Sequence, residues 1–357
     1  MSDIKEQKVK RTSQFELLRF LAAFMVVMFH AAFSYGRNDW WYTNVNTILV
    51  IPVVLFIFIT GFFVVKSKKS RIIKILLMIL IYYLLNLLLG YSVIKIFNLN
   101  YDFNSLWKYG EGPWWYLWTL PMLYVFIPIL NLALQKLNKW YTLITALIIY
   151  IFYYYFCHIE YDKIFAPGQL LLFISVYMLG GWWHLYANTF STRKLVLWIA
   201  IAYLIILQII NNVLFATIQK TVFMAIKEGA KDTSQPLTIL AAVAVFICFQ
   251  HINIKYNRFI NFLGQLSLPI YLFQGIFMAL TEQKILPHLN LIDSTIFKTI
   301  VESLIVFAIA MVFGAIIIWP VNFVINNLDN LLTKGFKIAK SKSEKFYYAK
   351  LKVKNNS

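Results

Sequence analysis

Apolar runs long enough to cross a bilayer recur along most of the chain, separated by short segments that hold most of its charge. The pattern predicts ten helical spans, at about 15–34, 46–65, 72–90, 114–134, 141–157, 168–186, 195–215, 236–250, 259–280 and 296–320. The stretch 236–250 is short for a bilayer, and parity decides in its favour. Without that crossing, the lysine-rich end of the chain would lie on the opposite side from the other basic loops. The expected fold is an all-α integral membrane protein, a polytopic bundle of about ten transmembrane helices with N- and C-termini cytoplasmic. Residues 1–330 would form the transmembrane domain and 331–357 a Lys-rich cytoplasmic tail.

Composition agrees, with 61% apolar and 13% charged residues and a mean hydropathy of +0.68, and it excludes an ordinary soluble domain. From Ser13 the chain runs straight into a full-length span without a small-residue cleavage site, so the first helix is expected to stay. The net charge of +18 would suit a nucleic-acid binder, but a basic, aromatic-interleaved surface on a soluble fold is missing, and no nucleic-acid partner is expected. Position along the chain accounts for the charge better. Of 33 lysines and arginines, 23 fall on the side of the termini and nine on the other, as the positive-inside rule requires. Trp40, Trp41, Trp114 and Trp115 at outer ends, with Trp140, Trp182, Trp183 and Trp319 at inner ends, make two aromatic belts. The eight lysines from Lys334 onward, interspersed with Phe336, Phe346, Tyr347 and Tyr348, either rest on anionic membrane lipids or act only as an orientation signal. Cys157 and Cys248 fall at opposite faces, so neither a disulfide nor a thiolate metal site is expected.

The first span, FELLRFLAAFMVVMFHAAFS from Phe15 to Ser34, carries the groups that need explaining: Glu16, Arg19 and His30. Arg19 and His30 are eleven residues apart, which on a helix means about 20° in azimuth and about 16 Å in depth. Glu16 lies about 40° to the other side of His30, and Ala22 and Ala23 allow a neighbouring helix to approach closely. Of five histidines only His30 sits within a span; His158 and His288 fall outside, His184 and His251 inside. An ionisable residue at that depth is either functional or a neutral core histidine, and a neutral imidazole there suits a general base. Glu16 and Arg19, three apart, have the spacing of an ion pair, and Arg19 alternatively offers a bidentate fork to phosphate. Arg71 and Lys74, near Lys68 and Lys69, read as orientation signal or as docking charges for a phosphorylated donor. Gln274 and Glu302 lie at depths comparable with His30. Glu302 should find a partner, such as His30 or a sugar hydroxyl, or else snorkel to the outer interface. Trp115 and Trp118 offer stacking surface for a sugar, although belt anchoring also explains the former. Gly180-Gly181 is at most a packing or turn feature. Walker, GxGxxG, GxSxG and HExxH signatures are absent.

The run LLRFLAAFMVVMFH, with Arg19 and His30 eleven apart on the opening helix, resembles the membrane-bound acyltransferase-3 family of bacterial O-acyltransferases. LFIFITGFF at 55–63 is similar to that family's FF-x-x-SGF stretch, with Thr60 in the serine position, and RIIKILL at 71–77 to its R-x-x-R-I-x-P. GPWWYLWTLPMLYVFIPIL at 112–130 resembles its Trp-containing fourth span, and NFLGQLSLPIYLFQ at 261–274 its late G-x-x-S-x-x-I-Y-L-x-H stretch. The resemblance implies a multi-pass protein of the bacterial inner membrane. It would transfer an acyl group, often acetyl, from cytoplasmic acyl-CoA as co-substrate to a hydroxyl of an envelope glycan or its lipid-linked precursor, with no resident cofactor. It places His30 as the catalytic histidine, Arg19 as its partner, and Arg71 with Lys74 as the donor-binding pair. Glu302, Gln274, Trp115, Trp118 and Tyr271 are then candidates for acceptor or supporting roles. The chain departs from the family pattern at Lys74 for Arg, Leu77 for Pro and Gln274 for His, and no glutamate stands in WTLPMLY. The rival reading is a transporter of glycan or lipid-linked sugar, a flippase or exporter, which ten spans and a polar interior also suit. Basic residues clustered to one side, and no matching pair of broken helices, tell against it. A catalytically retired scaffold is a third reading. Neither oligomeric state nor an oxyanion stabiliser is indicated.

Overall fold

The computed structural model of the chain describes residues 12–35, 40–65, 72–102, 114–155, 168–217, 235–289 and 294–355. No strand occurs among them. The helices are α1 (Ser13–Tyr35), α2 (Trp40–Leu49), α3 (Ile51–Val64), α4 (Ile72–Phe97), α5 (Trp114–Lys136), α6 (Lys139–Phe152) and α7 (Gly168–Trp182). The short α8 (Asn188–Ser191) precedes α9 (Lys194–Thr217), α10 (Pro236–Gln250), α11 (Arg258–Gln265), α12 (Ser267–Leu280) and α13 (Thr295–Asn355).

Six helical stretches are long and apolar enough to cross a membrane: 13–34, 45–64, 75–97, 118–136, 169–187 and 295–328. A seventh crossing forms if α11 and α12, bent by 47°, make one span. The other three expected spans have shorter counterparts, α6, α10 and the 194–210 part of α9. The break inside the expected span 259–280 has a local cause. Pro269 has no N–H to give the carbonyl of Gln265, and the Ser267 hydroxyl instead caps the Gly264 carbonyl at 2.9 Å. At the other end of the chain, the helix continues without a break past residue 330 to Asn355.

Polarity is inverted relative to a soluble protein. Leu80, Leu84 and Leu88 line one exposed face of α4, Tyr141, Ile144, Ile148 and Ile151 one of α6, and Val312, Ile316, Trp319 and Phe323 one of α13. Asn86, Asn131, Ser175, Gln274, Thr299, Glu302 and Ser303 are buried within. Water would penalise that exterior, whereas hydrocarbon does not. With the long apolar helices, it makes the chain a multi-pass membrane protein.

Close packing at the centre depends on small residues. A Cβ on Gly61 of α3 would fall on the Tyr177 carbonyl, 2.9 Å from its carbon, and one on Gly180 of α7 would fall on the Phe58 carbonyl, 3.0 Å from its carbon. Gly180 is therefore a packing glycine. Interhelical hydrogen bonds join the same region. Ser175 donates to the Ala146 carbonyl at 2.9 Å, and Gln135 to that of Val65 at 3.0 Å. α1 lies against α3 on one side and against α11, α12 and α13 on the other.

Candidate functional site

The polar stripe on α1 begins as an ion pair. Arg19 Nη1 donates to Glu16 Oε1 at 2.6 Å, one turn apart, with the Glu16 side chain 6% exposed and that of Arg19 28%. Gly264 of α11 makes room for the carboxylate. A Cβ there would meet Glu16 Oε2 and stand 2.6 Å from Glu16 Cβ and 2.9 Å from its Cα. The start of α11 is tied to the same place, because the Asn257 N–H donates to Ser13 Oγ at 2.8 Å while its side chain caps Phe259 and Ile260.

The Arg19 guanidinium lies 5.9 Å from the centre of the Phe63 ring, with Tyr116 and Tyr124 of α5 nearby. Those two belong to a set of tyrosines drawn from three helices, of which Tyr116, Tyr177 and Tyr271 are buried and Tyr124 is partly buried. Tyr116 packs 5.0 Å from Tyr271 of α12 and 5.4 Å from Phe173 of α7. Tyr124 lies near Thr60, whose hydroxyl donates to the Phe56 carbonyl at 2.8 Å. Tyr177 donates to Asn131 at 2.7 Å, and Asn131 in turn donates to the Val64 carbonyl at 3.2 Å. Hydroxyls and amides thus pair with one another between α3, α5 and α7 in an otherwise apolar interior.

His30 follows eleven residues later, about 16 Å along the helix. It is half-buried with its ring edge-on to Phe29 at 5.2 Å, and neither imidazole nitrogen has a hydrogen-bond partner among the described residues. α13 runs antiparallel to α1. Phe307 meets Phe20 and Phe24 at 5.1 and 5.0 Å, while Gly314 lies against Pro269 near the α11–α12 break, beside the Glu16 end of α1. Glu302 is therefore carried toward the His30 end. It is wholly buried with Thr299 and Ser303, so it does not snorkel to the surface. Burial of a carboxylate is costly, and Glu302 is engaged by a neighbour.

The expected residues do not all converge. Tyr271 and Gln274 are buried on α12, on the side where Tyr271 meets Tyr116. Trp118 is 45% exposed on α5, 6.2 Å from the Tyr83 ring, on the outer surface of the bundle. Lys74 lies in the first turn of α4 and Trp115 in the first turn of α5. The side chains of both lie outside the described residues, as do Arg71, Cys157 and His158 altogether. Tyr116, Tyr124, Tyr177 and Thr281 were not singled out by sequence reasoning. Each sits in an apolar span where tyrosine and threonine are common, and only tertiary contacts distinguish them.

The arrangement offers a part-buried guanidinium at one end of a helix and, deeper along it, an imidazole without a hydrogen-bond partner among the described residues, a group whose chemistry suits proton transfer. A family model described as an acyltransferase domain matches residues 13–319, from the first residue of α1 to Trp319 of α13. No curated protein and no solved structure gave a match.

Proposed function

The chain belongs to the acyltransferase-3 family of membrane proteins, and from that premise we propose that it transfers an acyl group, acetyl in the first instance, from acyl-CoA to a hydroxyl of a bacterial envelope glycan or its lipid-linked precursor. It would do so as a ten-span protein of the inner membrane with both termini cytoplasmic. The observation that carries this reading is α1 itself, which pairs Arg19 near its start with His30 deeper in the same helix.

In the proposed cycle the donor's phosphates dock at Arg19, Arg71 and Lys74, where a guanidinium matches phosphate in a bidentate fork and lysine supplies a point charge. The thioester end reaches toward His30. His30 takes the proton of the acceptor hydroxyl, the oxygen attacks the thioester carbonyl, the carbon–sulfur bond breaks, and the sulfur leaves with the proton returned from the imidazolium. An acyl-histidine route would begin from the same neutral imidazole. Glu302, at the His30 end of α13, supports the acceptor side. Trp118, facing outward, would contact an acceptor only at the rim of the bundle.

Purified protein supplied with acyl-labelled acyl-CoA and envelope glycan tests the reading. Label on the glycan supports it. Label remaining on the donor, with glycan crossing the bilayer of a proteoliposome, would support the transporter.

A further inference from the structure

α12 and the π-helical turn Thr281–Ile285 that continues it carry a second polar line that the proposed transfer has not used. Gln274 and Thr281 are seven residues apart, so they share a face and stand about 10 Å apart along the helix. Both are completely buried. Neither the oxygen nor the nitrogen of the Gln274 amide has a hydrogen-bond partner among the described residues, nor does the Thr281 hydroxyl. A buried amide or hydroxyl without partners loses its hydrogen bonds to water without compensation, so these two groups ask for a polar ligand. Tyr271, one turn before Gln274, meets Tyr116 of α5 at 5.0 Å between ring centres. The line therefore starts beside Tyr116 and runs along a helix packed on α1, the helix that carries His30.

Resting on the acyl-CoA reading above, we propose that Gln274 and Thr281 bind the pantetheine arm of the donor through its amide groups. The spacing favours such a ligand over a sugar. A sugar ring bears several hydroxyls together and needs clustered partners, whereas pantetheine is an aliphatic chain with two separated amides. The helix face matches that pattern, with single polar groups separated by Met278 and other buried apolar residues. Gln274 and Tyr271 then serve the donor and not the acceptor.

The test uses full-length protein in nanodiscs, with acetyl-CoA, acetyl-pantetheine, and an acetyl-pantetheine in which the amide nearest sulfur is replaced by an ester. The variants are Gln274→Met and Thr281→Val, which keep volume and remove hydrogen bonding. Loss of one buried hydrogen bond should weaken acetyl-CoA binding about tenfold in Gln274→Met. The wild type's preference for amide over ester should vanish in at least one variant, with thermal unfolding unchanged. Equal acetyl-CoA affinity in wild type and both variants overturns this inference and leaves the acyl-CoA reading standing. A uniform loss toward amide and ester donors alike also overturns it. Wild type that binds no acetyl-CoA overturns the acyl-CoA reading and the inference with it.

Discussion

Gly264→Ala tests the seat of the Arg19 ion pair. The added methyl would meet Glu16 Oε2 and lie 2.6 Å from Glu16 Cβ and 2.9 Å from its Cα. The carboxylate can swing aside, but the Cα cannot, so α1 and α11 must part by several tenths of an ångström. Forced overpacking of this kind costs about 1–3 kcal/mol. Displacing the Glu16 carboxylate also weakens its hydrogen bond to Arg19, worth about 1.5–3 kcal/mol for a charged pair. The two effects overlap, so a total of about 3 kcal/mol is expected, or a fall of roughly 4 °C in Tm at an unfolding entropy of about 2.1 cal/mol/K per residue for a chain of 357 residues. Thermal unfolding in detergent, followed by tryptophan fluorescence, reads the shift. Gly275→Ala on α12 is the control, because the nearest atom to a Cβ there is Tyr101 Oη at 4.0 Å. That variant should melt at or slightly above the wild-type temperature, since alanine is the better helix former. If Gly264→Ala melts together with the control, α11 does not seat the ion pair as described.

Gly61→Ala should destabilise the bundle by at least 1–3 kcal/mol, because the Tyr177 carbonyl occupies the space a methyl would take, and the same unfolding assay reads it. Tyr177→Phe removes the 2.7 Å hydrogen bond to Asn131 and should cost about 1 kcal/mol without changing the helical circular dichroism; an unaltered Tm would show that this bond carries no net stability.

Hydropathy revealed most of the helices because every span announces itself as a long apolar run, and the Arg19–His30 spacing pointed to the polar stripe of α1. The Glu16–Arg19 pair followed from its one-turn spacing alone, and the structure forms it. The break at Leu266 was hidden in NFLGQLSLPIY, where hydropathy reads on through Pro269 and treats two helices meeting at 47° as one. The tyrosine cluster was invisible for another reason. Tyr116, Tyr124, Tyr177 and Tyr271 lie on three helices far apart in sequence, and only the packing of α5, α7 and α12 brings contacts such as Tyr116–Tyr271 together. Burial likewise decides between rival readings of a single residue, as it does for Glu302, whose place inside the bundle no single-sequence pattern states.

The central claim rests on His30, and His30→Ala measures it most directly. Purified variant and wild type receive acyl-labelled acyl-CoA and envelope glycan after their melting curves have been matched. The side chain makes no hydrogen bond among the described residues, so the variant should fold as the wild type does, and its transfer of label to glycan should fall at least 10²-fold, the usual loss when a general base is removed. Transfer at the wild-type rate by a folded His30→Ala protein would contradict the account.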